Sequence, residues 1–290
     1  MLSLHTNFAS LSAQTSLGKT QSALSTSQTR LSTGFRINSA MDDAAGLQIA
    51  TRLKAQTSGM AVAMRNTQNA TSMLQTGEGA LDEVTNMLSR MKDLATQAAD
   101  GAASTADKTA MQSEYDALGN QLTQVMANTS FGGMDLLKGT SGALTTAITF
   151  QIGATTSETF QLDLSSGFSG LEAALGSASS NYSSAGVAIT TAGTELTSSA
   201  GATIDVLSAA IAAVGTVRSS LGAAANRLDH VYNNLQNQST NTTQATSRIM
   251  DVDYASETAN QTSKSMLAQA GTAMLKQSGQ MSQMVLSLLQ

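Results

Sequence analysis

The sequence predicts a mainly α protein: a long antiparallel helical rod or coiled coil with a small β-hairpin, its two termini helical and paired. Three observations carry this. Proline is absent from all 290 residues, where average usage of about 5% would give roughly 14, and a chain without proline can run long uninterrupted helices. Apolar residues recur seven apart in several separate stretches, the pattern of a packed helical seam. In one region the period shortens to two, the signature of strands.

The first forty residues hold Lys19, Arg30 and Arg36 but no acid, with Leu4, Phe8 and Leu11 at helical spacing and then Leu17, Leu24 and Leu31 seven apart. This is an amphipathic helix of low charge. Ser32-Thr33-Gly34 ends it, because glycine takes the left-handed conformation that closes a helix. From about Met60, Leu74, Leu81, Leu88 and Ala95 form one line and Val84, Met91 and Ala98 a second, as far as Asp100-Gly101. Ser104 is placed to cap the next helix, with Asp107 three residues on. Its buried stripe is Met111, Tyr115, Leu118, Leu122 and Val125, and it stops between Asn128 and Gly133.

Ile148, Phe150 and Ile152 then alternate with polar residues, as do Phe160, Leu162 and Leu164, which predicts a two-stranded hairpin. Ser, Gly, Ala and Thr dominate from Ser165 to Ala200, read as an exposed loop region with a short helix at Leu171 to Leu175. Leu207, Val214, Leu221, Leu228 and Leu235 follow at seven-residue intervals, with Ile204, Ile211, Ala225 and Tyr232 as a second line that Arg218 interrupts. A helix of about 35 residues rises about 50 Å, longer than a compact domain of this size needs. The last helix carries Leu267, Met274, Met281 and Leu288, with Ala270 and Met284 between them.

Two domains are expected. Residues 1–40 and 250–290 form a terminal coiled coil. Residues 41–249 form a helical rod, with the hairpin at about 147–165 and the Ser/Thr/Gly-rich surface segment at about 165–200. The rod core is Leu74, Leu81, Leu88, Leu118, Leu122, Leu207, Val214, Leu221, Leu228 and Leu235. The terminal stripes are too narrow to stand alone, since burying a leucine is worth about 1.5–3 kcal/mol against about 1–2 kcal/mol of backbone entropy per ordered residue. They are read as polymerisation seams, Leu17, Leu24 and Leu31 at one end and Leu267, Met274, Met281 and Leu288 at the other. The chain's first partner is then itself.

Composition excludes other classes. Net charge is −5 and only 12% of residues are charged, so the clustered cations that nucleic acid demands are missing. No cysteine is present, which rules out disulfides, thiolate metal sites and thiol catalysis. His5 and His230 stand in no triad-like pattern, and Asp42-Asp43 and the Asp251, Asp253, Glu257 group read as helix-cap and first-turn acids rather than cation ligands. No catalytic residue, cofactor or metal is expected. The longest charge-free run, Ala173 to Thr194, is too polar to span a bilayer, and the first 17 residues show no readable cleavable signal peptide.

Residues Leu31 to Leu53 read LSTGFRINSAMDDAAGLQIATRL and resemble the N-terminal signature of bacterial flagellins. Arg218 to Leu235 (RSSLGAAANRLDHVYNNL), Ser247 to Glu257 (SRIMDVDYASE) and Met284 to Gln290 (MVLSLLQ) are similar to the family's C-terminal signature. The resemblance implies a structural subunit that polymerises into the extracellular flagellar filament. It implies export through the flagellar type III channel, a chaperone on the C-terminal helix, and hook-associated junction and cap proteins as neighbours. About 40 residues separate the hairpin from the Leu207 helix, so this would be a short, core-only subunit.

The resemblance further implies recognition by the vertebrate flagellin-sensing Toll-like receptor. Arg90, Leu94 and Gln97 on one helix and Glu114 on the next match the docking residues of receptor-active flagellins. Two other readings stay open. A hook–filament junction protein shares the architecture, although its relatives resemble a Pro-Ser-Asp-Asp-Pro turn where this chain has Ser39-Ala40-Met41-Asp42-Asp43-Ala44. A secreted helical-rod enzyme would need a catalytic insertion, for which the chain has no room.

Overall fold

The computed structural model describes residues 7–288, with the side chains of residues 140 and 281–288 outside the description. His5 and the seam positions Met281 and Leu288 therefore lie outside the described side chains. The helices are α1 (Phe8–Thr33), α2 (Ala44–Ala98), α3 (Thr105–Asn128), α4 (Ser165–Ala178), α5 (Glu195–Met250) and α6 (Tyr254–Leu288). Strands β1 (Ser130–Phe131) and β2 (Met134–Asp135) make one hairpin, and β3 (Ile148–Gln151) and β4 (Thr159–Leu162) make another.

Two compact units result, one of Met1–Thr57 with Thr240–Gln290 and one of Ser58–Ser239. The boundaries fall inside α2 and α5 rather than near residues 40 and 250. Helix α2 starts earlier than its leucine pattern suggested because Asp43 accepts the Gly46 N–H at 2.8 Å and initiates it.

In the first unit α1 runs antiparallel to α6: Asn7 lies by Ser278, Leu17 by Gly271, Ser27 by Lys264 and Arg30 by Glu257. Helix α1 ends on Gly34, at φ 75, whose N–H returns to the Arg30 carbonyl. The chain leaving α1 is then laced to the turn between α5 and α6. The Arg36 N–H donates to the Met250 carbonyl at 2.6 Å, the Val252 N–H to that of Gly34 at 2.9 Å, and the Arg36 guanidinium to that of Ile249 at 2.8 Å.

The second unit is built on one core. Leu74, Leu81, Leu88, Leu122, Leu207, Val214, Leu221 and Leu228 are buried in it, Leu118 is half-buried against it, and Leu235 packs with Met60 and Ala63. Leu235 beside Met60, and Arg218 beside Glu78 and Asp82, set α2 and α5 antiparallel. Ser104 and Asp107 form the anticipated reciprocal cap on α3. In the longer hairpin Ile148 faces Leu162 and Phe150 faces Phe160. The two phenyl rings stack, and the Arg227 guanidinium of α5 lies 4.8 Å from the centre of the Phe160 ring. The shorter hairpin, unanticipated, turns on Gly132 and Gly133 at φ 59 and φ 85, the left-handed pair that a two-residue turn requires.

Two expectations are corrected. The second buried line of α5 is Thr203, Ala210, Val217 and Ala224, one residue before the Ile204, Ile211, Ala225 line, which is half-buried. Both spacings satisfy a heptad with Leu207 to Leu228. Choosing the earlier one moves Arg218 out of the core, where it meets Asp82 at 2.9 Å and Glu78 at 3.7 Å.

The second correction concerns residues 165–200, which are not simply surface. Phe168, Leu171, Leu175 and Ala178 form the buried face of the 14-residue helix α4, and Asn181, Tyr182 and Leu196 are buried as well. A polar ladder on α3 holds the chain that follows. Asn120 accepts the Ile189 N–H at 2.9 Å and donates to its carbonyl at 3.0 Å, Asp116 accepts the Gly193 N–H, and Gln112 accepts the Leu196 N–H. Residues four apart on one helix face thus satisfy backbone groups of a strand-free segment.

Candidate functional site

Among the described residues no group of three or more His, Asp or Glu is placed to hold a metal ion. His230 is exposed. Asp42 accepts the N–H groups of Asn38 and Ser39, and Asp253 that of Ala255, so these acids stabilise turns and helix starts. Backbone donation from Ser39 and then Asn38 holds the Asp42 carboxyl below its ordinary pKa. Helix α5 is long and apolar enough to cross a membrane, with mean hydropathy 1.6 over its most apolar stretch. Leu207, Val214 and Leu221 on it are closed into the core, and a third of that stretch is buried.

The sites left are surfaces. Leu17, Leu24 and Leu31 of α1 are half-buried, but the residues of α6 that meet α1 are not the leucine–methionine stripe. Glu257, Gln261, Lys264, Ala268, Gly271, Leu275 and Ser278, spaced alternately four and three, are buried or half-buried, as is Ser265 beside them. Small residues win this position because the α1 leucines need room: a Cβ on Gly271 would stand 3.3 Å from the Leu17 side chain. Polar rungs complete the seam. Arg30 lies 4.0 Å from Glu257 and 3.9 Å from Asp42, and the Asn7 amide donates to the Ser278 carbonyl at 3.1 Å. This row of mostly small and polar residues repeats every seven positions beside the more hydrophobic Leu267, Met274 stripe.

That displaced stripe is left open. Met266 and Leu267 are each 59% exposed and Met274 64%, and at 100° per residue their sector is centred about 120° round from the one facing α1. Phe8 and Leu11 on α1 are exposed too. Soluble chains seldom leave such a row unpartnered, and contiguous exposed apolar surface marks an interaction site. The depression between α1 and α6, about 480 Å³ and lined by Leu17, Gly18, Gln21, Ala268 and Gln269 among others, carries no charged side chain.

On the second unit the expected receptor-contact residues divide. Arg90 donates twice to Glu114, at 2.7 and 2.9 Å, and both are exposed, as is Gln97. Leu94 is only 2% exposed and belongs to the core, so the exposed face is polar: Arg90, Asp93, Thr96, Gln97 and Asp100 line a shallow depression of about 430 Å³. Leu94 lies one turn from both Met91 and Ala98, which draws it inward.

Comparison with known proteins agrees at both ends. The family model described as the bacterial flagellin N-terminal helical region matches residues 4–142, and that of the bacterial flagellin C-terminal helical region matches residues 204–289. Polar flagellin B/D of Vibrio parahaemolyticus is 32% identical over 385 aligned positions covering 99% of each chain. Flagellin D of Vibrio anguillarum is 34% identical with the same coverage. Alignments longer than this chain mean that these relatives carry stretches without a counterpart here. A putative flagellar hook-associated protein from Vibrio parahaemolyticus, 14% identical, shares the fold at a TM-score of 0.56 over 72% of this chain and all of its own. Bacillus cereus flagellin, 31% identical, superposes at a TM-score of 0.47 over 63% of this chain and 94% of its own.

Proposed function

The chain belongs to the bacterial flagellin family and is a structural, non-enzymatic subunit of the extracellular flagellar filament, and from that premise we propose that its terminal helices carry the contacts between subunits. The observation behind this reading is the exposed row Met266, Leu267 and Met274, turned away from the α1 seam. Burying the exposed part of such side chains against a second copy releases at most about 1–2 kcal/mol each, and repetition along a polymer multiplies the effect. The same helix is the natural hold for an export chaperone, which would cover the row before the flagellar type III channel delivers the subunit to the cap. At its base the filament would meet the junction proteins.

Leu267→Asp with Met274→Asp tests the proposal. Elongation from filament seeds, followed by light scattering and electron microscopy, should cease while the helicity of the monomer is retained. Filaments of normal length would refute it.

Receptor recognition is proposed on the second unit through Arg90, Gln97 and Glu114 without direct contact from Leu94. The observation favouring it is the exposed Arg90–Glu114 pair. Signalling by purified monomer should fall on Arg90→Ala with Glu114→Ala, and an equal response from both proteins would refute it.

A further inference from the structure

The chain has 15 methionines and neither cysteine nor tryptophan, so thioethers are its readiest acceptors of oxygen from a peroxide. Burial sorts them. Met60, Met73, Met87, Met91 and Met126 are enclosed in the second unit, whereas Met41 is 95% exposed, Met134 in the short hairpin is exposed, and Met266 and Met274 stand open on α6. Met41 occupies the tight turn before α2, and its side chain serves no packing. Met266 and Met274 are different, because they flank Leu267 and Ala270 in the row assigned to subunit contact.

We propose that Met266 and Met274 form a redox-sensitive modification site that controls whether a subunit can join the filament. The oxidant is a peroxide. A sulfur lone pair attacks one peroxide oxygen, the O–O bond breaks, an S–O bond forms, and the second oxygen leaves as water or alcohol after taking up a proton. The thioether is oxidised by two electrons and the peroxide reduced by two. The product sulfoxide is polar, and burying it in an apolar contact without a hydrogen-bond donor opposes association. Assembly itself covers both sulfurs, so the site acts on the free subunit, and methionine sulfoxide reductases can restore it.

The inference rests on the α6 row being a subunit interface. Full-length monomer is treated with hydrogen peroxide, mapped by peptide mass spectrometry, and added to untreated filament seeds. Met266 and Met274 should become sulfoxides before Met60, Met73 or Met91, and elongation should fall about tenfold or more. Treatment with both reductases should restore it. Met266→Leu with Met274→Leu should elongate after the same peroxide exposure, and Met41→Leu should give no protection.

Met266→Gln with Met274→Gln, polar at similar length, supplies an arm free of oxidant and should also stop elongation with helicity retained. Undiminished elongation by monomer bearing both sulfoxides, by the glutamine variant, or equal peroxide loss in the leucine variant and the natural protein would overturn the inference. If the Leu267→Asp, Met274→Asp variant elongates normally, the interface reading itself fails. If that variant is blocked and oxidised monomer is not, only the redox control fails.

Discussion

The Lys264 ammonium donates a 2.7 Å hydrogen bond to the hydroxyl of Ser27, a fully buried residue 237 positions earlier in the chain. It sits 3.5 Å from the Ala23 carbonyl as well. This rung, one turn along α1 from the Arg30–Glu257 pair and toward the opposite end of the seam from the Asn7–Ser278 bond, helps set the register of α1 on α6, as polar positions do in a coiled coil.

Ser27→Ala removes the better of these two acceptors, and hydrogen bonds to charged groups are worth about 1.5–3 kcal/mol. Amide hydrogen exchange should speed up along α1 and α6 by a corresponding factor, with the core amides of α2 and α5 in the second unit unaffected. Unchanged protection of α6 would show that the rung contributes nothing.

Leu221→Ala and Arg218→Ala, three residues apart on α5, should behave oppositely. Leu221 is fully enclosed, and its truncation should cost about 2–5 kcal/mol. The Arg218 bridges to Asp82 and Glu78 are partly exposed, so their loss should cost no more than about 1 kcal/mol. Denaturant unfolding of the two variants measures both, and equal losses would mean that Arg218 lies in the packed line after all.

Insertions should separate the pinned from the free parts of residues 179–196. A short Gly-Ser tag between Thr190 and Thr191, both exposed, should leave the melting temperature unaltered. The same tag after Asn181, which is buried between α3 and the end of α4, should lower it by several degrees or prevent folding. Tolerance at both sites would contradict the packing of this segment.

Acid should destabilise the protein below about pH 4. Asp107 is held below its ordinary pKa by the Ser104 hydroxyl and then its N–H, and Asp163 by the hydroxyl and N–H of Ser165. Burial pushes the Glu195 carboxyl up, but the N–H of Ser180, with further hydrogen bonds, brings it below the ordinary value. A depressed folded pKa contributes stability that is fully present above the unfolded pKa and is lost as pH falls through the folded one. Glu172, raised by burial, has the opposite sign: its contribution favours the fold at low pH and disappears as pH rises through its folded pKa. With more carboxyls depressed than raised, melts between about pH 7 and pH 3 should show a net fall, and a flat profile would refute the balance.

The sequence by itself determined that each long helix exists, together with the Ser104 and Gly34 caps and the longer hairpin. Each of these depends on local chemistry: apolar period, a capping hydroxyl, a glycine at positive φ. It did not reveal α4 as a full helix, since serine-rich composition masks the i, i+3, i+7 spacing of Phe168, Leu171 and Leu175. Nor did it show that Gln112, Asp116 and Asn120 would hold the segment beyond α4.

Tertiary structure alone decided which of two regular stripes α5 and α6 turn inward. On α5 a one-residue choice put Val217 in the core and Arg218 against Asp82. On α6 it put Gly271 under Leu17 and left Met274 outside. A helix with apolar or small residues on most of its faces has no inward side of its own, and the side is chosen by the shape of the neighbour it must fit.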